Sequence, residues 1–244
     1  METLGIIPAR YESSRFPGKS LVEISGKPLI QHVYEKASLA RSLDDLVVAT
    51  DDERIFDEVE RFGGKVLMTR KDHPTGTDRL AEVAVRHDAD LYVNIQGDEP
   101  LIDPSLIDRA VHTFGGISGF QFGSAMTPIR NDEDVRNPNV VKVVVDSRKR
   151  ALYFSRHSIP YRRKETTLPC YQHIGFYVYA RNFLLAFPNM PSTPLEQAEC
   201  LEQLRALENG IHIHMIETNY RGIGVDAPED IKRIEAIMKT ESSR

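Results

Sequence analysis

The sequence has little cysteine, no basic excess, no long apolar run and none of the glycine signatures of the common nucleotide-binding folds. Its two cysteines, Cys170 and Cys200, stand apart in the chain without C-x-x-C or zinc spacing. They read as reduced thiols of a cytoplasmic protein rather than as a disulfide framework or a metal centre. Lys and Arg number 31 against 36 Asp and Glu, a net charge of −5. No domain-wide basic face is therefore available for phosphate backbones, and no nucleic-acid partner is expected. No apolar stretch approaches the ~20 residues of a membrane span, and the first apolar run begins too early for a signal peptide, so no membrane partner is expected. The motif G-x-x-x-x-G-K-S/T is absent, and so is G-x-G-x-x-G at the first turn. A P-loop and a dinucleotide fingerprint are thereby excluded, and a dehydrogenase is disfavoured.

What remains is ordinary globular composition, 41% hydrophobic and 27% charged over 244 residues, enough for one large α/β domain or two small ones. Apolar runs at Leu4 to Pro8, Leu46 to Thr50, Lys65 to Met68 and Leu91 to Ile95 predict strands. Helical periodicity predicts helices over Pro28 to Ala40, Glu53 to Phe62 and Asp78 to His87. That alternation implies a parallel sheet with right-handed crossovers and helices on both faces. The second half loses the rhythm. Strands are predicted at Gln121 to Thr127, Val140 to Asp146, Leu152 to Ser155, His173 to Ala180 and Ile211 to Glu217, with helices at Pro194 to Asn209 and Pro228 to Lys239. A mostly parallel, mixed α/β sheet flanked by helices, with an antiparallel excursion before the last helices, is expected. Tyr161 to Pro169 reads as a loop, either mobile beside the site or an ordinary surface connection.

The first strand runs into Pro8-Ala9-Arg10-Tyr11-Glu12-Ser13-Ser14-Arg15-Phe16-Pro17-Gly18-Lys19. Arg10, Arg15 and Lys19 at one strand end suit an anion. Arg can fork onto two phosphate oxygens, Lys supplies a compact charge, and Pro17-Gly18 lets backbone amides approach. A triphosphate fits this loop better than a carboxylate, and ligands of open α/β sheets gather at the carboxyl ends of strands. The plain alternative is a solvated loop whose cations pair with Glu12 or with helix ends.

Asp98 and Glu99 follow the fourth predicted strand in Gln96-Gly97-Asp98-Glu99-Pro100, where Gly97 permits a sharp turn. Asp226 stands in Gly224-Val225-Asp226, ahead of the last helix. Two acids facing a phosphate loop are what Mg²⁺ takes, with phosphate oxygens and waters completing its shell. Asp98 also suits a turn, and Asp226 a helix cap. The run His73-Pro74-Thr75-Gly76-Thr77-Asp78-Arg79 offers hydroxyls, a glycine and backbone for reading a base and ribose; a turn with an N-cap uses the same letters. Arg156, His157, Arg163, His173, Tyr177, Glu202 and Gln203 form a polar set able to bind a sugar, with His173, Gly175, Tyr177 and Tyr179 alternating onto one strand face. Scattered surface polarity is the competing reading, and His212 and His214 read as surface only.

These stretches, joined by Ala151-Leu152-Tyr153-Phe154-Ser155-Arg156, Pro194-Leu195-Glu196 and Leu201-Glu202-Gln203-Leu204-Arg205, run in order along almost the whole chain. Together they resemble the sugar nucleotidyltransferases of the GT-A-like nucleotide-diphospho-sugar transferase fold, and within them the 3-deoxy-manno-octulosonate (Kdo) cytidylyltransferases. The resemblance implies transfer of CMP from CTP to Kdo with release of pyrophosphate, for lipopolysaccharide biosynthesis. It implies that Arg10, Arg15 and Lys19 hold the triphosphate, that Ala9, Thr75, Gly76, Arg79 and Asp98 also contact CTP, and that Asp98 and Asp226 bind Mg²⁺. Kdo contacts fall to Gln96, Arg156, Arg163, His173, Tyr177, Glu202 and Gln203. A homodimer is implied, as is a single domain in which residues 1–115 mainly bind CTP and residues 116–217 mainly serve the sugar and dimerisation. His157, Arg162 and the short connection from Arg163 to His173 depart from the family pattern beside the sugar pocket. Sialic acid or an amino-substituted Kdo is therefore the nearest alternative acceptor, and a non-catalytic sensor the alternative of another class.

Overall fold

The computed structural model describes residues 1–12, 16–164 and 166–242. Strand β1 (Thr3–Ala9) is apolar on both faces because both are covered: Ile7 and Ala9 join one core cluster, Leu4 and Ile6 the other. After a short 3₁₀ turn at Lys19–Leu21 and the hairpin β2 (Glu23–Ile24) and β3 (Lys27–Pro28), the chain alternates as α1 (Leu29–Ala37), β4 (Asp45–Thr50), α2 (Glu53–Arg61), β5 (Val66–Met68), α3 (Gly76–Arg86), β6 (Leu91–Asn94) and α4 (Pro104–Gly115). The second half contains β7 (Phe122–Pro128), α5 (Asp132–Arg136), β8 (Lys142–Val145), β9 (Ala151–Ser155), β10 (Tyr171–Ala180), α6 (Arg181–Ala186), α7 (Pro194–Glu199), α8 (Gln203–Glu208), β11 (Ile213–Glu217) and α9 (Pro228–Ser242).

A nine-stranded mixed sheet runs β11-β7-β10-β6-β1-β4-β5, with β8 paired to both β10 and β9. β1 is parallel to β4 and β6, β4 to β5, and β11 to β7. β10 is antiparallel to β6, β7 and β8, which is the expected excursion. Two antiparallel steps cancel, so β7 and β11 point the same way as β6 and β1. The carboxyl ends of β1, β6 and β11 and the start of β10 therefore share one sheet edge. One core cluster holds Val33 of α1, Val59 of α2, Ile107 of α4 and Ile234 of α9; the other holds Leu80 of α3, Leu184 of α6 and Leu204 of α8. Helices thus cover both faces, as the alternating pattern predicts.

The structure corrects two expectations. Helix α4 is absent from the sequence-based assignment, although Asp103 caps it, Pro104 opens it and Leu106, Ile107, Ala110, Val111 and Phe114 form its buried stripe. The single helix expected over Pro194 to Asn209 is two. Cys200 adopts a left-handed conformation (φ 52°), and Arg156 Nε donates to the carbonyl of Glu199 at 2.7 Å. That carbonyl would otherwise take the next helical amide, so the chain turns and restarts at Glu202.

Candidate active site

At the shared edge, the turns after β1 and β6 lie against each other. A Cβ on Gly97 would stand 2.6 Å from the carbonyl oxygen of Pro8, so only glycine permits this approach. Gly18 (φ 72°) sits under the Tyr11 ring and donates its amide to the Tyr11 carbonyl at 2.7 Å, which closes the anion loop and sets Lys19 at the head of the 3₁₀ turn. From there Lys19 Nζ reaches Asp98 Oδ2 at 2.5 Å and the carbonyl of Val225 at 3.3 Å. The Val225 amide in turn donates to the Asp98 carbonyl at 2.9 Å. Three of the expected groups, Lys19, Asp98 and the Asp226 segment, thus converge from positions far apart in sequence. Arg15 lies outside the described residues.

Asp226 is exposed, and its backbone amide and that of Ala227 both donate to Oδ2 of Asp230, in the first turn of α9, at 2.9 Å each. Among the described residues no group of three or more His, Cys, Asp or Glu side chains could hold a metal ion. The fit to Mg²⁺ rests instead on donor chemistry. Asp98 supplies a hard oxygen that already answers the Lys19 ammonium, Asp226 follows directly on the residue hydrogen-bonded to the Asp98 carbonyl, and one or two carboxylates with phosphate oxygens suffice for this ion.

Among the residues expected to contact CTP, Thr75 forms a capping box with Asp78 at the start of α3. Arg10 Nη2 donates to the His73 carbonyl at 2.8 Å, joining the anion loop to that segment. Burial, and next the charge of Arg79, hold the Arg10 guanidinium below its ordinary value, opposed by Asp51 and Asp78. Ala9 ends β1 and Gly76 begins α3, with the Pro8 ring near Gly76. Arg79 is 0% exposed; its guanidinium donates to Thr69 and, at 2.6 Å, to Asp51 Oδ2, and its Nε is unpartnered.

The sugar-side residues divide. Thr77 Oγ1 donates to Glu202 Oε2 at 2.5 Å, linking the head of α3 to the head of α8, and burial raises the Glu202 carboxyl above its usual range. The Gln203 side chain is buried with Nε2 unpartnered, and the Asn94 Oδ1 is likewise buried and unpartnered. Asn94, not among the expected site residues, ends β6 opposite Tyr177. His173, Tyr177 and Tyr179 line one face, with ring centroids 5.5 and 6.0 Å apart in succession. Gln96 lies beside Gly175. Two residues do not join this group as the structure stands. Arg156 spends its guanidinium on the carbonyls of Pro138, Glu199 and Cys200, and Arg163 is exposed on the irregular loop before β10. Sequence spacing does not show the Arg156 outcome, because it depends on where α7 ends.

His173 meets Ser124 Oγ through Nε2 at 2.9 Å and stacks edge-on against Phe154. Burial lowers its pKa from 6.5 to about 3. The unfolded chain therefore binds this proton at a higher pH than the fold does. The stability it contributes is complete above pH 6.5 and is lost as pH falls toward about 3. Melting curves between about pH 7 and pH 5 should accordingly fall more steeply for the parent than for His173→Gln; parallel curves would show that the ring does not stay neutral.

The profile of the cytidylyltransferase family matches residues 4–215. A 3-deoxy-manno-octulosonate cytidylyltransferase of Syntrophotalea carbinolica is 52% identical, with 98% of this chain and 99% of that protein aligned. One from Geobacter metallireducens is 51% identical over 96% of each chain. A solved structure of CMP:2-keto-3-deoxy-manno-octonic acid synthetase complexed with CTP superposes with a TM-score of 0.95 at 43% identity, covering 99% of this chain and 100% of that one.

Proposed function

The chain belongs to the cytidylyltransferase family, and from that premise we propose that it transfers CMP from CTP to Kdo, giving CMP-Kdo and pyrophosphate. Near full-length identity of about half to Kdo cytidylyltransferases is the observation that carries this reading, and the convergence of Lys19, Asp98 and the Asp226 segment supports it. The anomeric hydroxyl of Kdo attacks the α-phosphorus in line. The new P–O bond forms as the bond to the pyrophosphate oxygen breaks, and the hydroxyl proton passes to solvent. Little covalent work falls to the protein, so positioning and charge stabilisation dominate.

Arg10, Arg15 and Lys19 hold the triphosphate and the departing pyrophosphate. Lys19 exchanges its contact with Asp98 for phosphate oxygen, which releases Asp98. Asp98 and Asp226 are the residues that would hold Mg²⁺, and that ion when bound supplies Lewis-acid withdrawal of charge from the α-phosphate. Thr75 and Gly76 at the head of α3 face the nucleotide, while Gln96, His173, Tyr177, Glu202 and Gln203 face the sugar. Residues 1–115 serve mainly CTP, and residues 116–217 mainly Kdo and a homodimer contact. No helix among the described residues is long and apolar enough to cross a membrane.

Pyrophosphate release with CTP and Mg²⁺ tests the reaction, comparing Kdo, sialic acid and no acceptor while the nucleotide product is weighed by mass. Kdo-dependent release with CMP-Kdo formed is expected, and comparable turnover of sialic acid would overturn the acceptor. Lys19→Ala should weaken CTP binding or slow transfer by about 10- to 100-fold, as expected for loss of a charge-assisted hydrogen bond. Calorimetric CTP affinity and turnover both equal to the parent would remove the loop from the site.

A further inference from the structure

Glu99 and Tyr220 take no part in the chemistry above, yet they meet directly beneath it. The Tyr220 hydroxyl donates to Glu99 Oε2 at 2.8 Å, although the two residues are 121 positions apart. A Cβ on Gly222 would stand 2.7 Å from Glu99 Oε1, so the backbone of Gly222 rests against the same carboxyl group. Three residues on, the Val225 amide is hydrogen-bonded to the carbonyl of Asp98, and the Val225 side chain is fully buried in the core. Between β11 and α9 the backbone has no regular structure over 218–226. Beyond the Thr218 amide on the Met126 carbonyl, its register rests on single contacts: these, Lys19 on the Val225 carbonyl, and Asp230 on the Asp226 amide.

Resting on the reading of Asp98 and Asp226 as the cation pair, we propose that Glu99 is a positioning residue: with Tyr220 and the Asp98 carbonyl it clamps residues 220–226 and so sets where Asp226 stands relative to Asp98. One turn, Gly97-Asp98-Glu99, thereby presents one carboxylate and anchors the segment that carries the other. Gly222 lets the backbone rest on the anchor, whereas a Cβ on Gly224 would stand at ordinary contact distance, 4.0 Å from the Asp98 carboxyl carbon. Groups that orient metal-binding carboxylates typically carry about 10- to 100-fold in metal affinity or activity.

The test compares Tyr220→Phe, Glu99→Ala and Glu99→Gln with the parent in the full-length chain. Amide hydrogen exchange over residues 220–226 reads the clamp without reference to activity, and the Mg²⁺ concentration for half-maximal turnover reads its consequence. Tyr220→Phe and Glu99→Ala should speed exchange in that segment by about tenfold or more while the β1 and β6 amides stay protected, and should raise the half-saturating Mg²⁺ by about 10- to 100-fold. Glu99→Gln keeps an acceptor oxygen and should restore most of both losses. Unchanged exchange at 220–226 overturns the clamp, and faster exchange with parental Mg²⁺ dependence and turnover overturns its positioning role. Should Asp226→Asn alone turn over like the parent, the cation reading fails on its own account, while the exchange data still decide the clamp.

Discussion

Asp98→Asn is expected to fold as the parent does and to lose about 100- to 1000-fold in turnover, the range seen when a group stabilising transition-state charge is removed. The substitution is nearly isosteric, and the contact that shapes the site is made by backbone: the Val225 amide donates to the residue 98 carbonyl whichever side chain stands there. Asn can still accept from Lys19 Nζ. What disappears is the negative charge, so the loss falls on the chemical step and on cation binding rather than on stability. Single-turnover pyrophosphate release, paired with a melting curve, separates these effects. Asp226→Asn should move turnover in the same direction, since Asn keeps the size and hydrogen-bonding oxygen of the side chain and its backbone amide stays held by Asp230. Parental turnover in both variants would remove the two carboxylates from the mechanism.

Arg79→Met should act in the opposite way, through stability. Its guanidinium is fully buried and donates to Thr69 and Asp51, so replacement leaves the Asp51 carboxylate without its cation. Removing one partner of a buried pair costs about 3–5 kcal/mol, because the remaining charge is stranded. Denaturant unfolding should register that loss. Replacing the pair together, as Asp51→Leu with Arg79→Met, should recover much of it. A residue in direct contact with CTP would give the reverse: parental stability and a raised KM for CTP. The sequence motif Thr75-Gly76-Thr77-Asp78-Arg79 makes its last member look like a ligand contact; burial makes stability the first thing its loss affects.

The Arg156 guanidinium carries a similar lesson. Its neighbours in sequence place it at the end of β9, where a cation could answer a sugar carboxylate, but the carbonyls of Glu199 and Cys200 arrive from α7 and take its hydrogen bonds. That arrival depends on the left-handed turn at Cys200, a residue with no strong preference for such a conformation, and periodicity alone reads straight through it. Helix α4 carries its own local signals, the cap and opening at Asp103-Pro104 and a clear apolar stripe.

The sequence by itself determined the parallel first half, the basic segment that follows β1, the acidic turn at the end of β6 and the family. Each rests on local order: strand period, turn residues and motifs whose members are close together. Only the tertiary structure decided that Lys19, Asp98 and Val225 share one point, that Glu99 holds Tyr220, and that Thr77 reaches Glu202. Those meetings join residues from 79 to 206 positions apart. The Lys19, Asp98, Val225 and Glu99–Tyr220 meetings exist because β1, β6 and β11 end at the same edge of one sheet, a relation set by strand order and direction rather than by any local run of residues.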